Sequence, residues 1–295
     1  MILREKIKAS LVLLVVLGAI AVVVKMPINL GLDLQGGTRL IIEAKDTKEV
    51  KADNDAVLGA LAVIRSRING LGVAESVIRR KGLKQLIVEL PGVKNPDRAI
   101  KLIGETALLE FVEAEWAPGD ISSLSKQKLE ILAGKDARLD TVFDYDAEGR
   151  VTRETPIILK KVVLTGSDLK SANPDTNNFN QPTVSIEFKT EGAKVFRNVT
   201  GRSVGKPLAI ILDGRIISAP NISEAISGGR AQISGSFSVQ EMRDLVIKLK
   251  AGALPVPIEI LSNKIVGPSL GRDSIEKSKV AAVVGFSLVC IFMIF

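Results

Sequence analysis

Polar and apolar positions change rhythm several times along the chain, and each change marks an element. Ala9 to Val24 carries no charge, and Ile7 to Met26 approaches the roughly 20 residues that span hydrocarbon once Lys8 and Lys25 extend their ammonium groups to the two interfaces. Pro27 stops that helix, because it lacks an amide hydrogen and clashes with the preceding turn. "AIA" at Ala19 to Ala21 has the small-residue pattern of a signal-peptide cleavage site. Val22 to Val24 nevertheless continue the apolar run where a polar region belongs, so an uncleaved anchor is expected. Arg4, Lys6 and Lys8 outnumber Glu5 and place the N-terminus in the cytoplasm, with the segment beyond the anchor outside. A second uncharged run, Val280 to Phe295, follows Lys277 and Lys279 and reads as the start of another span, so the chain is expected to be a fragment ending within the membrane.

About 250 residues separate the two runs, far beyond the ~60 at which flanking charge still governs orientation. "TRLIIEA" alternates Leu40 and Ile42 against Arg39, Ile41 and Glu43, a half-buried strand. Val57, Leu61, Ile64 and Ile68 then form one apolar helix stripe, with Arg65 and Arg67 expected outside it and Asn69-Gly70 closing the helix. "ESVIRRKGLKQLIVELPG" predicts a hairpin, Ser76 to Arg80 and Gln85 to Leu90, reversing at Lys81-Gly82. Asn95-Pro96-Asp97 opens a second helix through Ile100 and Ile103, and "ALLEFVEAE" is expected as the closing strand. The order strand, helix, strand, strand, helix, strand is that of the ferredoxin-like unit, within an α+β protein.

Past Trp116 the sequence turns polar, including "FDYDAEGR", and regains a clear pattern after Pro156. "PTVSIEF" alternates Val184, Ile186 and Phe188, and a helix through Val195 and Val199 is expected to follow. "LAIILDGRIISAP" places two apolar strands around Asp213-Gly214, a strong hairpin signal because a type I′ turn needs positive φ at both central residues. Ser238 and Glu241 stand at capping-box spacing before a helix with Val239, Met242, Leu245, Val246 and Leu249 on one face, closed by Gly252. "LPVPIEILSN" is a Pro-bounded strand placed to rejoin the first sheet. The expected divisions are a tail and membrane helix at 1–28, a ferredoxin-like base at 29–115, an inserted head at 116–248, a return strand and linker at 249–275, and a second membrane helix beginning at 276–295.

Composition narrows the chemistry. A length of 295 predicts roughly two domains, and 46% hydrophobic with 25% charged residues describes a globular chain. The charge of +7 is compatible with nucleic acid, but one Trp, one Tyr and no dense basic stripe supply neither base stacking nor phosphate tracking, so no nucleic-acid partner is expected. Cys290 is alone, which excludes an intrachain disulfide, and the absence of histidine excludes imidazole bases, Ser-His-Asp triads and the usual zinc sites. Glu110 and Glu113, three apart on a strand, point to opposite faces and form no acid-base pair. Gly70 and Gly72 meet Glu75 where a dinucleotide fingerprint needs a third glycine, and "SGGRAQISGSF" lacks the lysine and helix of a phosphate loop and reads as a glycine-kinked hairpin. Arg79, Arg80 and Lys81 at a hairpin tip suit a solvated turn or an anionic surface. The loop "SANPDTNNFNQP" reads as a mobile turn region and a possible contact surface, with Phe179 at its centre. No catalytic residue, cofactor or metal is expected, and the chain reads as a membrane-tethered binding or coupling module, not an enzyme.

"GLDLQGGTRL" after the first apolar run, "LAIILDGRIISAPNI", "SGGRAQISGSFS", "LKAGALPVPIEI" and "VGPSLGRDSI" before the second resemble, in their order, the SecD family of the bacterial Sec protein translocase. The related SecF subunits are similar too, but have Phe where this chain has Leu34 and a shorter ectodomain. The resemblance implies six membrane helices of the resistance-nodulation-division architecture, a ferredoxin-like base with a mobile head, association with SecF, the SecYEG channel, a translocating preprotein and membrane lipids, and use of the proton gradient in late steps of export across the bacterial cytoplasmic membrane. The family's proton-relay carboxylate belongs to a later membrane helix, so no residue here inherits that role.

Within the opening motif, Gly31, Asp33, Leu34, Gln35, Gly36 and Gly37 are expected to form a joint between membrane helix and ectodomain, together with the returning Gly267, Pro268, Ser269, Leu270 and Gly271. The two glycines permit a tight turn or close approach to that returning segment, while Asn29, Asp33 and Gln35 can bond unpaired amides. Two other functions fit the same residues: a small-molecule exporter of this architecture, which requires a large apolar cleft, and a membrane-anchored binding or scaffold domain.

Overall fold

The structure, a computed structural model, describes residues 18, 31–48, 50–73, 76–117, 137–145 and 150–294. Apart from Gly18, the expected first membrane helix lies outside the described residues, as does Asn29.

After a single helical turn, α1 (Leu32–Gln35), the chain enters β1 (Gly37–Ala44), whose side chains alternate between half-exposed and buried as the sequence pattern required. Helix α2 (Asn54–Gly70) starts where the Asp53 carboxylate accepts the Ala56 amide, and its buried face carries Val57, Ala60, Ile64 and Ile68. Strands β2 (Val77–Lys81) and β3 (Gln85–Pro91) form the expected hairpin, turning at Gly82 with φ +66°. The Asn95 side chain caps α3 (Pro96–Gly104) by accepting the Arg98 amide.

The fourth strand of this sheet comes from far along the chain. β4 (Leu109–Trp116), expected to close it, instead joins a second sheet, and the place beside β1 is taken by β12 (Ile258–Val266), giving the antiparallel order β12-β1-β3-β2. The burial of β4 explains the difference. Leu109, Phe111, Val112 and Ala114 are all buried, so this strand is apolar on both faces and belongs at the centre of a covered sheet. Leu40, Ile42, Leu86, Val88 and Leu90 meet Val57, Ile64, Ile68 and Ile103 in one core, where truncating a residue such as Ile64 to alanine costs about 2–5 kcal/mol.

Between α3 and β12 lies a larger insertion. β5 (Arg138–Tyr145) and the long β6 (Val151–Thr165) pair as a hairpin through the stretch read as polar and turn-rich. A 3-10 turn at Gly166–Asp168 leads into β7 (Leu169–Thr176), which pairs with β8 (Pro182–Phe188). Helix α4 (Thr190–Arg202) buries Phe196 and Val199 but leaves Val195 exposed. β9 (Leu208–Leu212) and β10 (Arg215–Ser218) turn at Asp213 and Gly214 with φ of 50° and 78°, the two positive values expected. The five-stranded sheet β10-β9-β4-β6-β5 is bent by bulges, which bring its outer strands β10 and β5 towards each other.

"SGGRAQISGSF" is not a hairpin of its own. β11 (Arg230–Ile233) pairs with β8, completing a sheet β11-β8-β7. The glycines mark close approach, as at Gly229, where a Cβ would fall 2.6 Å from that of Ala193. Helix α5 (Val239–Ala251) opens with the full Ser238/Glu241 capping box and buries Met242, Leu245, Val246 and Leu249 against β7 and β8; Val239, expected on that face, is exposed. The insertion's main core also holds Phe111, Phe188 and Phe196, with ring centroids 4.7 to 6.5 Å apart.

After β12, helix α6 (Pro268–Ile294) carries exposed apolar side chains from Val280 onward. Among the described residues no helix is long and apolar enough to cross a membrane: the uncharged part of α6 begins at Val280 and its described portion ends at Ile294, short of the roughly 20 residues a span needs.

Candidate functional site

Three places carry the residues singled out by the sequence. The first is the opening motif. Leu32 is buried, Leu34 half-buried, and Gly31, Asp33 and Gln35 are exposed. Gly36 (φ 71°) turns the chain into β1, and its carbonyl accepts the Gly92 amide at 2.9 Å. Gly37 (φ 135°) is bounded by the neighbouring strand, because a Cβ there would stand 2.1 Å from the Leu90 carbonyl oxygen. The close approach that demands glycine is thus to β3, not to the returning segment. Contact with that segment is made by α1, which lies against α6, the helix containing Pro268, Ser269, Leu270 and Gly271. Neither Asp33 nor Gln35 makes a side-chain hydrogen bond to a described residue, so the expected capping of free amides is not seen in them.

The second place is the β7–β8 hairpin. The stretch expected as a mobile loop is strand as far as Thr176, leaving a tip of five residues, Asn177 to Gln181. One side chain builds that tip: Asn177 Oδ1 accepts the amides of Phe179 (3.0 Å) and Gln181 (2.9 Å), while Asn177 Nδ2 donates to Gln181 Oε1 (2.8 Å). Phe179 crowns it with 84% of its surface exposed, an aromatic ring held out on a hydrogen-bonded turn.

The third place was not identified as a site in the sequence. Arg67, expected on the solvent side of α2, is fully buried, and its guanidinium donates to the carbonyls of Leu102, Ile103, Glu105, Thr106 and Gly252. Leu102 and Ile103 end α3, and Glu105, Thr106 and Gly252 lie on the two connections between the four-stranded sheet's unit and the insertion. Leu254 N donates to Thr106 O (2.9 Å), joining the connections to each other. From the insertion's side, Asp213 accepts the amides of Ala107 (3.0 Å) and Leu108 (2.9 Å), and Ala107 is held at φ 58°. Lys248 pairs with Glu105 across the same junction. Gly70, expected to close α2 in the left-handed conformation, instead lets α5 approach: a Cβ would meet Ile247 at 3.0 Å, and the positive φ falls at Gly72. A signal for Arg67 was present, since it stands three residues after Ile64 and beside Ile68, on the apolar stripe itself.

A groove of about 350 Å³ on the curled sheet is lined by Arg138, Lys160, Lys161 and Glu110 around Val112, Leu159 and Val162. Lys160 in it is already paired with Glu115 (2.8 Å), which also accepts Lys206 (2.7 Å); together they hold the Glu115 carboxyl below the usual carboxylate range.

Comparison with known proteins places these features. Residues 141–256 match the family model of the SecDF P1 head subdomain, residues 57–115 that of the N-terminal part of the P1 domain of protein translocase subunit SecDF, and residues 21–48 that of the SecD/SecF GG motif. The protein translocase subunit SecD of Acidaminococcus fermentans is 38% identical over 294 residues, which cover 99% of this chain and 60% of that one. SecDF of Thermus thermophilus is 40% identical over 88% of this chain and 34% of its own length. A crystal structure of SecDF in a super-membrane-facing form superposes with a TM-score of 0.65 at 35% identity, over 97% of this chain and 38% of that one. A second SecDF structure, from work on a membrane component that enhances protein export, gives 0.57 at 35% identity, over 76% of this chain and 98% of that one. The chain spans 60% and 62% of the length of two SecD relatives and 50% of a third.

Proposed function

Because the chain belongs to the SecD/SecDF family of protein translocase subunits, we propose that it forms the extracytoplasmic working part of a Sec translocase accessory subunit, which couples the proton gradient to late steps of protein export. One observation supports this most: the 35% identical SecDF structure superposes over 97% of the chain, base, insertion and connections included. In this reading the four-stranded sheet with α2 and α3 is a ferredoxin-like base whose last strand, β12, is displaced along the chain by the head, residues 109–251. Residues 7–26 and the apolar end of α6 anchor the chain in the bacterial cytoplasmic membrane, with the ectodomain outside. The opening motif, α1 and the start of α6 then form the joint through which membrane helices act on the base.

SecF, the SecYEG channel and the exported preprotein are the partners, and the head is the part that touches the preprotein. To do work, the head must meet the unfolded chain differently in two orientations, since only a differential interaction shifts an equilibrium. Phe179 suits such contact: a rigidly presented aromatic ring binds extended apolar segments without reading their sequence. A photoactivatable residue at position 179, in membranes carrying a stalled secretory chain, is expected to give adducts with that chain. Absence of adducts from 179 and from the other exposed head positions would overturn the reading.

A further inference from the structure

Arg67 is buried, yet none of its hydrogen bonds goes to a carboxylate. It gathers main-chain carbonyls instead. Leu102 (2.9 Å) and Ile103 (3.2 Å) belong to the last turn of α3, Glu105 and Thr106 (3.1 Å) to the outgoing connection, and Gly252 (3.2 Å) to the cap of α5 where the return begins. Arg67 itself stands in the last turn of α2. Two helix C-termini, those of α3 and α5, therefore bring carbonyls and the negative ends of their dipoles to a cation that itself stands at the end of a third helix, α2. Burial lowers the Arg67 pKa to about 10 against the opposing pull of Asp213 and Glu105, so the group remains a cation at neutral pH.

Packing alone does not call for arginine here. A methionine or leucine at 67 would continue the stripe of Ile64 and Ile68 without the cost of burying a charge. What the guanidinium adds is direction, because Nη1 and Nη2 lie in one plane and reach their acceptors together only when the carbonyls of α3, the outgoing connection and the return take one mutual arrangement; the buried Nε has no partner. Asp213 constrains the same outgoing connection from the head side, through two successive amides.

We propose that Arg67 is a positioning residue that, with Asp213, fixes the orientation of the head on the base by holding both connections. This goes beyond the export reading and does not depend on it, since head orientation is measurable without an exported chain.

The test uses the full chain in lipid nanodiscs with Cys290→Ser and two spin labels, one at Lys94→Cys in the base and one at Glu224→Cys in the head, both exposed. The parent is expected to give one narrow distance distribution. Arg67→Met is expected to broaden it about twofold or split it, and Arg67→Lys, which keeps the charge but not the planar fork, to broaden it less. Asp213→Gly removes both acceptors at an exposed turn while tolerating its φ of 50°, so it leaves the core and the turn intact; it too is expected to broaden the distribution. A purely structural role would lower the unfolding temperature while leaving the distribution of the folded molecules narrow. Parent-like width in every folded variant would overturn the proposal, whatever the outcome of export assays.

Discussion

Arg98 and Asp244 meet in a forked ion pair, with Arg98 Nη2 2.6 Å from Asp244 Oδ1 and Nε 3.0 and 3.3 Å from the two carboxylate oxygens. They are 146 residues apart, one on α3 of the base and the other on α5 of the head, and both are largely buried, at 31% and 20% exposure. Sited between two rigid helices with bidentate geometry, this pair escapes much of the solvent screening that makes surface pairs weak. A double-mutant cycle of Arg98→Ala and Asp244→Ala, followed by chemical denaturation, is expected to give a coupling of about 1 kcal/mol. A coupling indistinguishable from zero would show that the junction is held by the carbonyl cluster and apolar contacts alone.

Gly37 and Gly31 belong to one motif but answer to different constraints. A Cβ at 37 collides with the Leu90 carbonyl, whereas one at 31 meets nothing within 4 Å. Gly37→Ala is expected to cost about 2–4 kcal/mol and Gly31→Ala to lie within about 0.5 kcal/mol of the parent, as read from thermal or urea unfolding. In cells, valine at Gly36 and Gly37 should impair secretion without preventing membrane insertion; unchanged export would remove the motif's role as a joint.

The hairpin tip separates stability from contact. Phe179→Ser removes an exposed ring and is expected to leave stability within about 0.5 kcal/mol of the parent while weakening crosslinks to an exported chain made from neighbouring tip positions. Asn177→Ala takes away the acceptor for two amides and is expected to loosen the tip, seen as faster amide exchange at Phe179 and Gln181. Unaltered exchange would contradict the hydrogen-bonded turn.

With no histidine in the chain, no imidazole titrates near neutrality, and the groups with lowered pKa values that bear on the acid limb are carboxylates. Glu241, which accepts the Ser238 amide in the capping box, Glu115 beside Lys160 and Lys206, and Asp46 beside Lys84 and the Ala52 amide all have lowered pKa values. A carboxylate whose folded pKa is depressed stabilises the fold above its unfolded value, and that contribution is lost as pH falls through the folded pKa. Unfolding free energy is therefore expected to be flat from about pH 6 to 8 and to decline below about 4. A loss of stability on going from pH 8 to 6 would point to groups other than these.

The local elements of the fold were largely legible in the sequence, because they follow from neighbouring residues. The alternation of β1, the Asn95 and Ser238 caps and the Asp213-Gly214 turn each depend on contacts within a few positions. Strand partnership was less legible. β4 follows α3 directly and has a strand pattern, so it passed for the closing strand, and only its burial on both faces separates it from β12. Arg67 was misplaced for a related reason: its acceptors are backbone carbonyls 35 to 185 residues away, and carbonyls leave no mark in a sequence. Gly70 was read as a cap when its role is contact with Ile247, again a partner far along the chain.

In the proposed function, export depends on movement of the head on its base. Cysteines placed at Arg98 and Asp244 in a Cys290→Ser background, bridged by a short reducible crosslinker, would tie α3 to α5 in the orientation seen here. Gradient-dependent export of a secretory protein into membrane vesicles is expected to fall to the level without a gradient when the bridge is closed and to recover on reduction. Export that proceeds at the full gradient-dependent rate with the bridge closed would contradict the account.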